Sequence, residues 1–429
     1  MATETKEAQA TLSAAYPRSA RINARGAIEV GGCDLGQLAR ELGTPAYVVD
    51  EQDLRSRARA YLDAAQRVGL PEVAVAFAAK AFPCTAVLEL FAAEGLWCDV
   101  ASGGELALAL AAGFPAQRVI LHGNAKSRPE LERALEAAIG LIVIDNFDEI
   151  ARLGELVGRR SDGEQQRVLI RATPDVAGQT HAKISTGQAD SKFGFALEDV
   201  PAAIEAVRAT PGLQLRGLHA HIGSQILSLE PFGAIAEALA PFAPMPVWDL
   251  GGGLGVAYSA DQQPPAISDH VATLAASARE QLGEHELLLL EPGRALVANG
   301  CVTIYTVESV KRNVSLYVAV DGGMSDNLRP MLYGARYEAA LVERPGGECE
   351  CVVAGKHCES GDIIVPHARL AEPRAGDILC TPATGAYTFA MANNYNGALR
   401  PPVIFCAEGT ARVVCRRETE QDLLARDVR

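Results

Sequence analysis

The sequence of 429 residues contains no apolar run approaching the roughly 18 residues of a membrane span. Its richest apolar segments, Leu287–Leu290 and Leu141–Ile144, are short and bounded by charged residues. The N-terminus has no apolar core behind its charges, so neither a signal peptide nor an anchor is expected. These absences predict a cytoplasmic protein without a membrane partner.

Runs of lysine or arginine are also absent. Lys and Arg total 39 against 53 Asp and Glu, which gives a formal net charge of −14. This acidic balance argues against a surface that follows a nucleic-acid backbone or an anionic membrane. Small molecules or other proteins are therefore the expected partners, and no nucleic acid is expected.

The cysteines number ten, but they are spread along the chain without CxxC spacing. A chain of this length can bury a large core without covalent cross-links. A disulfide framework is therefore not expected, and most of the cysteines are predicted to be buried thiols.

What the sequence does contain is a regular alternation between about Glu72 and Arg294. Short β-branched apolar runs alternate there with segments of helical period. The runs number eight, and they end at Lys80, Ser102, Asn124, Asn146, Thr173, Gly223, Gly252 and Pro292. This pattern predicts an α/β protein with a (β/α)8 TIM barrel. An open, doubly wound sheet stays as the alternative, because periodicity does not show closure.

The pattern changes after about Cys301 to alternating strands without long helices, which predicts a second, mostly antiparallel β-domain. The N-terminal segments AIEVGG and PAYVVD are predicted strands that join it. Three parts follow: 1–50, a segment contributing strands to the β-domain; 51–298, the barrel; and 299–429, the C-terminal β-domain.

The predicted strand ends carry many chemically active side chains. In a TIM barrel the active site lies at the C-terminal ends of the strands. The polar residues at these positions are Lys80, Asp99, Ser102, His122, Asn124, Arg171, His219, His221, Asp249, Glu291 and Arg294. A purely structural barrel would not need this set, so an active site is predicted here.

Lys80 follows an apolar strand, which makes it a candidate amine nucleophile for a Schiff base, with a solvated lysine as the alternative. Gly251–Gly253 follow the seventh strand, where backbone N–H groups could approach a phosphate or the glycines could form a tight turn. A dinucleotide fingerprint is excluded, because Val256 and Tyr258 stand where GxGxxG requires glycine.

His219 and His221 form an HxH pair on one face of a strand. Metal binding would need an unidentified third ligand, whereas a flat imidazole could lie against an aromatic cofactor. Glu291 could keep a ring nitrogen protonated, with a surface ion pair to Arg294 as the alternative. Lysine, phosphate-binding glycines, imidazole and carboxylate are together the requirements of pyridoxal 5′-phosphate. No metal site is predicted.

A dense series of motifs runs from about Pro45 to the C-terminus. They are FAAKA (77–81), DVASGGEL (99–106), HGNAKS (122–127), ISTGQADSKFG (184–194), GLHAHIGSQ (217–225), DLGGGLG (249–255), EPGR (291–294), DGGMSDNLRPMLYGA (321–335), CESGD (358–362) and GAY (385–387). With these motifs the sequence resembles the diaminopimelate decarboxylases, pyridoxal-phosphate enzymes with an alanine-racemase-like barrel. One departure is Phe82, where many members have Asn.

The resemblance implies roles for individual residues. Lys80 would hold the cofactor, His221 would stack on its ring and Glu291 would meet the pyridine nitrogen. The phosphate would lie among Ser224, Gly252, Gly253, Gly293, Arg294 and Tyr387. The substrate would contact Arg294, Arg329, Tyr333, Glu359 and Tyr387, with Cys358 as the proton donor. The resemblance also implies a homodimer, in which the CESGD loop enters the partner's site.

The implied reaction is decarboxylation of meso-2,6-diaminopimelate at its D-centre to L-lysine and carbon dioxide, the last step of lysine biosynthesis. Two arginines and a tyrosine suit the unreacting carboxylate, and Glu359 suits the ammonium beside it. Decarboxylases of the same fold that act on ornithine, arginine or carboxynorspermidine are rivals, but their substrates lack a second amino-acid end. A racemase would be expected to have a catalytic tyrosine in place of CESGD. An inactive binding subunit would not need every cofactor-directed group.

Overall fold

The computed structural model describes residues 12–69, 72–160, 163–176 and 191–428. The chain forms two compact units. The β-unit comprises Met1–Leu54, Ala257–Gln262 and Val297–Arg429, and the barrel unit comprises Arg55–Val256 and Gln263–Leu296. Residues 257–262 thus belong to the β-unit, although the sequence on both sides of them belongs to the barrel unit. Residues 184–190 of the ISTGQADSKFG motif lie outside the described residues.

The N-terminal part of the β-unit begins with a small antiparallel sheet. Its strands are β1 (Arg21–Ile22), β2 (Ile28–Val30) and β3 (Cys33–Asp34), in that order. Helix α1 (Leu35–Leu42) follows, with Asp34 accepting a hydrogen bond from the Gln37 N–H at its N-terminus. Strand β4 (Ala46–Asp50) then enters the large sheet of the β-unit.

The barrel unit is built on parallel strands that close on themselves. They are β5 (Val73–Ala78), β6 (Trp97–Val100), β7 (Val119–Leu121), β8 (Leu141–Ile144), β9 (Gln166–Thr173), β11 (Leu213–His219), β12 (Val247–Asp249) and β13 (Leu287–Leu290), with the short β10 (Phe195–Ala196) beside β9. Strand β5 pairs with both β6 and β13, and β8 pairs with β9. The predicted (β/α)8 barrel is confirmed, and the open sheet is excluded.

Helices connect these strands: α2 (Glu51–Arg67) leads into β5, and α3 (Thr85–Ala93), α4 (Gly103–Ala111), α5 (Arg128–Glu136), α6 (Phe147–Val157), α7 (Val200–Arg208), α8 (Glu230–Leu239), α9 (Ile267–Gln281) and the short α10 (Arg294–Val297) follow. Side-chain caps fix where several of them begin. Ser102 caps α4, Ser127 forms a capping box with Glu130 at α5, and Asn146 caps α6. These caps hold the strand-to-helix loops that carry the predicted site residues.

The inside of the barrel is filled by apolar side chains. Ala74, Ala76, Ile120, Leu169 and Leu289 are buried members of one cluster contributed by different strands. A TIM barrel packed in this way is a solid scaffold, not a pore, and it fixes the strand ends at one rim.

The C-terminal part of the β-unit contains most of its strands. They are β14 (Cys301–Arg312), β15 (Leu316–Val320), β16 (Ala340–Leu341), β17 (Cys349–Ala354), β18 (Ile363–Leu370), β19 (Ile378–Pro382), β20 (Val403–Ala407) and β21 (Thr410–Cys415), with helices α11 (Arg329–Tyr333) and α12 (Glu420–Leu424). The main sheet has the order β18-β17-β15-β14-β4-β20-β21. Only the pairs β15–β17 and β4–β20 are parallel among the described strands of this unit, which confirms a mostly antiparallel domain.

None of the helices in the described ranges is long and apolar enough to span a membrane. All ten cysteines are free, and Cys358 is the exposed one.

Candidate active site

Lys80 lies at the end of β5, in a short 3-10 turn formed by Ala79–Ala81. Its Nζ is 3.1 Å from Oδ2 of Asp99, which is buried at the end of β6. The side chain of Lys80 is nevertheless 41% exposed. The sequence showed no adjacent charge partner for this lysine, but the fold supplies one from the neighbouring strand. The amine is thus both held in place and accessible.

Glu291 follows β13 and is buried between two imidazoles. Its Oε2 accepts a hydrogen bond from Nε2 of His219 at 3.2 Å, and its Oε1 lies 2.6 Å from Nε2 of His122. Burial opposes ionisation, but the adjacent imidazoles outweigh it and hold the pKa of Glu291 well below its ordinary value. Glu291 is therefore a buried carboxylate and not part of a surface ion pair.

Asp249 lies beside this carboxylate at the end of β12. Burial, followed by the charge of Glu291, raises the pKa of Asp249 well above its ordinary value, which favours its protonated form. Burial also lowers the pKa of His219 to about 3, so that ring is neutral. The ligand atoms of His122, His219, Asp249 and Glu291 lie within 4.8 Å of one another, a grouping that could also hold a metal ion. His221 is outside it, so the HxH pair does not act as a pair of ligands there.

His221 is oriented by the glycine loop. The Gly252 N–H donates to its Nδ1 at 3.2 Å, which places the ring proton on Nε2. Burial, together with the charges of Lys80 and Arg171, lowers the pKa of His221 well below its ordinary value. The ring is therefore neutral and fixed, as stacking on a flat cofactor requires.

The glycines after β12 allow three loops to approach closely. A Cβ at Gly252 would lie 2.0 Å from the carbonyl oxygen of Glu291. Gly253 has a φ of +121°, and a Cβ there would lie 2.7 Å from the carbonyl oxygen of Gly223. The close approach of these loops thus explains why the two positions are glycine.

Ser224 and Arg294 meet at the same rim. The Arg294 guanidinium donates two hydrogen bonds to Oγ of Ser224, from Nε at 3.2 Å and from Nη2 at 2.9 Å. Gly293 directly precedes the arginine at the start of α10. The structure therefore brings together two residues, Ser224 and Arg294, that the resemblance assigned to the phosphate site.

Arg329 and Tyr333, at the two ends of α11, belong to the β-unit. Arg329 is 5% exposed, and its Cζ lies 4.7 Å from the ring centre of Tyr258 and 5.6 Å from that of Tyr337. Neither tyrosine was expected at the site, because nothing in the local sequence connects Tyr258 or Tyr337 with Arg329. Tyr333 is partly buried.

Cys358 and Glu359 lie on an exposed turn between β17 and β18. The Cys358 N–H donates to Oδ1 of Asn396 at 3.0 Å. The carboxylate of Asp362 accepts hydrogen bonds from the N–H groups of Met324 and His357, at 2.7 and 2.9 Å. The turn is thus held by its backbone, while the thiol stays at the surface.

Tyr387 has a φ of +62°, a conformation that is uncommon for residues other than glycine. Its side chain is partly buried. Unfavourable backbone conformations persist where the surrounding structure enforces them, and they concentrate at functional sites. This observation supports the assignment of Tyr387 to the site.

The barrel-unit residues fit pyridoxal phosphate. Glu291 is buried and its lowered pKa favours the carboxylate, so it can favour the protonated form of a pyridine nitrogen placed beside it. A neutral imidazole for the ring face, an accessible amine and the Ser224–Arg294 pair complete the donor set. His122 and His219 were recognisable in the sequence as polar residues at strand ends. Their contacts with Glu291 were not.

Comparisons with known proteins agree with this chemistry. A family model described as "Pyridoxal-dependent decarboxylase, pyridoxal binding domain" matches residues 52–298. The diaminopimelate decarboxylase of Bacillus subtilis is 44% identical over 431 residues, covering 96% of this chain and 97% of the relative. This chain belongs to the diaminopimelate decarboxylase family.

Other diaminopimelate decarboxylases support the same conclusion. That of Mycobacterium bovis is 42% identical, covering 96% of this chain and 98% of the relative. The crystal structure of the M. jannaschii diaminopimelate decarboxylase in co-complex with L-lysine matches with a TM-score of 0.89 at 31% identity, covering 96% of this chain and 98% of that chain. The predictions of family, fold and enzyme class are confirmed. The cofactor is pyridoxal 5′-phosphate.

Proposed function

We propose that this chain decarboxylates meso-2,6-diaminopimelate at its D-centre, giving L-lysine and carbon dioxide in the last step of lysine biosynthesis. The observation that carries the proposal is the ionised, buried Glu291 at the same barrel rim as the accessible amine of Lys80. The extent of the likeness to diaminopimelate decarboxylases supports the choice of substrate. A cytoplasmic location belongs to the same proposal.

The barrel unit is assigned to the cofactor. Lys80 would supply the amine that attaches the cofactor, Glu291 would favour the protonated form of its ring nitrogen, and His221 would lie against its ring. As the resemblance implies, Ser224, Gly252, Gly253, Gly293, Arg294 and Tyr387 would provide the phosphate site. When bound, pyridoxal phosphate supplies an electron sink for the electron pair that remains after carbon dioxide leaves.

Asp99 has a positioning role in this arrangement. Its Oδ2 lies 3.1 Å from Nζ of Lys80, which holds the ammonium at the rim. His122 and His219 are positioning residues for Glu291, because their imidazoles contact its carboxylate and stabilise the negative charge inside the barrel. A carboxylate that stays ionised there favours the protonated form of a ring nitrogen next to it.

The unreacting L-end of the substrate is assigned to Arg294, Arg329, Tyr333, Glu359 and Tyr387. A guanidinium can bind a carboxylate through two parallel hydrogen bonds, and Glu359 complements the ammonium. A ligand with both charges at its far end needs both kinds of partner. Ornithine and arginine lack that second amino-acid end.

Cys358 is assigned the last proton transfer. Its thiol donates a proton to the carbon that has lost carbon dioxide, and the resulting thiolate recovers a proton from solvent. Cys358 and Glu359 are exposed on this chain, which supports their insertion into the site of a second copy. A homodimer with two shared sites is therefore part of the proposal.

The substrate is tested by incubating purified protein and pyridoxal phosphate separately with meso-diaminopimelate, ornithine and arginine. Carbon dioxide and lysine are measured. Carbon dioxide is expected from diaminopimelate and not from ornithine or arginine. Release from ornithine, without release from diaminopimelate, would overturn the assignment.

The shared site is tested by mixing two inactive variants, Lys80→Ala and Cys358→Ala. After unfolding and refolding together, about half of the dimers contain both variants, and each of these has one intact site if the turn crosses to the partner. About a quarter of the wild-type activity is then expected. An inactive mixture would show that each chain uses its own Cys358.

A further inference from the structure

The β-unit contains a buried arginine, Arg329, that has no carboxylate counter-ion among the described residues. Arg329 is 5% exposed, and no ion pair with a carboxylate is found for it within the described ranges. Its Nε is buried without a hydrogen-bond partner among the same residues. Buried charges in proteins are normally paired, because leaving them unpaired is costly. A ligand anion is the group that would complete this site.

Two tyrosines enclose the guanidinium in place of a carboxylate. The Arg329 Cζ lies over both rings, at 4.7 Å from the centre of Tyr258 and 5.6 Å from that of Tyr337. Its Nη1 also donates a hydrogen bond to the hydroxyl of Tyr337. A cation over an aromatic face is attracted by the ring quadrupole, which favours one orientation of the guanidinium without neutralising its charge.

The two rings are themselves fixed against each other. Tyr258 and Tyr337 are each 5% exposed, and their rings meet edge to face with centres 5.3 Å apart. Glu338, next to Tyr337, accepts hydrogen bonds from the Ala260 N–H and from the Ser13 hydroxyl, both at 2.6 Å. The Ala260–Glu338 hydrogen bond therefore ties the segment with Tyr258 to the segment with Tyr337 next to the aromatic pair.

Asn299 fixes the segment of Tyr258 from a further direction. Its Nδ2 donates to the carbonyl oxygen of Ala257 at 2.7 Å, and the Tyr258 N–H donates to Oε1 of Gln262, also at 2.7 Å. This short segment belongs to the β-unit although its neighbours in sequence belong to the barrel unit. The hydrogen bonds to Asn299 and Glu338 tie the segment to the rest of the β-unit, in which the ring of Tyr258 lies against Arg329.

We propose that Tyr258 and Tyr337 are positioning residues that hold the charged Arg329 ready for the unreacting carboxylate of the substrate. The inference rests on the proposed function, and it adds two residues that determine specificity for a ligand with a carboxylate at its far end. A carboxylate partner from the protein would instead neutralise the guanidinium and compete with the substrate.

The test compares Tyr337→Phe, Tyr258→Phe and the double variant with wild type. Phenylalanine keeps the ring and removes the hydroxyl, and Tyr317→Phe on the exposed part of β15 is the matched control. Losing a hydrogen bond to a charged group is expected to raise the KM for meso-diaminopimelate at least about tenfold in Tyr337→Phe, with kcat within about twofold. The control should match wild type.

Two inhibitors separate positioning from general damage. L-lysine retains the L-end carboxylate, whereas 1,5-diaminopentane lacks it. Inhibition by L-lysine is expected to weaken by the same factor as the KM rises, while inhibition by 1,5-diaminopentane stays unchanged. Equal weakening of both inhibitors, or an unchanged KM in the double variant, would overturn the inference. Wild type without decarboxylase activity would instead overturn the proposed function.

Discussion

Lys126, in the loop after β7, forms a buried ion pair with Glu149 of α6. Nζ of Lys126 donates to Oε1 of Glu149 at 2.7 Å and to the carbonyl oxygens of Gly123 and Val143 at 2.8 and 2.6 Å. Both side chains of the pair are at most 2% exposed. The lysine therefore ties the loop that carries His122 to β8 and α6.

Replacing Lys126 by Met leaves the Glu149 carboxylate buried without its cation. Removing one partner of a buried pair costs about 3–5 kcal/mol of the free energy of unfolding. The variant Lys126→Met/Glu149→Leu should regain most of this loss, because an apolar pair of similar volume can replace a buried ion pair at little cost. Urea unfolding followed by circular dichroism measures the free energy of unfolding of the single and the double variant. Lys311→Met, at an exposed position, is the control.

The loss of stability in Lys126→Met should also depend on pH. Burial raises the pKa of Glu149, and Lys126 opposes that rise. Without the lysine the folded-state pKa moves further above the unfolded one. Such a group contributes stability that is present below its unfolded pKa and is lost as pH rises through the folded pKa. The deficit of Lys126→Met should therefore shrink from neutral pH toward about pH 5. A deficit below about 1 kcal/mol, or a double variant no more stable than the single one, would refute this reasoning.

Three further variants test the assigned site. Lys80→Ala should abolish the cofactor adduct that borohydride reduction traps in wild type, as seen by mass spectrometry, whereas Lys356→Ala should retain it. Glu291→Gln should keep the cofactor absorbance but lower kcat roughly 10²-fold, because the buried negative charge is gone; an unchanged kcat would remove Glu291 from its role. Cys358→Ala should likewise keep the absorbance and lose about 10²–10⁴-fold in kcat, and normal turnover would exclude the thiol as proton donor.

The sequence predicted the barrel strands because each βα unit is recognisable from local periodicity. Closure was not visible in this way, since it depends on pairing between β5 and β13 from opposite ends of the barrel sequence. The short strands β1, β3 and β16 were also missed, because two residues carry no measurable alternation. The segment AIEVGG forms β2 in a separate small sheet, whereas PAYVVD forms β4 in the main sheet.

The sequence was sufficient to predict which residues lie at the candidate site, but not which of them contact each other. Lys80 and Glu291 were expected at strand ends, yet their partners Asp99, His122 and His219 come from other strands. Which strand ends face each other is decided by the three-dimensional arrangement of the barrel. Local sequence therefore revealed the chemistry available at the rim, while the charge state of Glu291 required the structure.

The most direct test of the central claim is the reaction of wild type with meso-diaminopimelate in deuterium oxide, followed by NMR of the lysine formed. Loss of carbon dioxide from the D-centre, followed by protonation from a group that exchanges with solvent, places one deuterium on the carbon that bears the ε-amine. The account predicts that product, with one carbon dioxide released for each lysine. Exchange of deuterium into an α-carbon of diaminopimelate, without release of carbon dioxide, would contradict it.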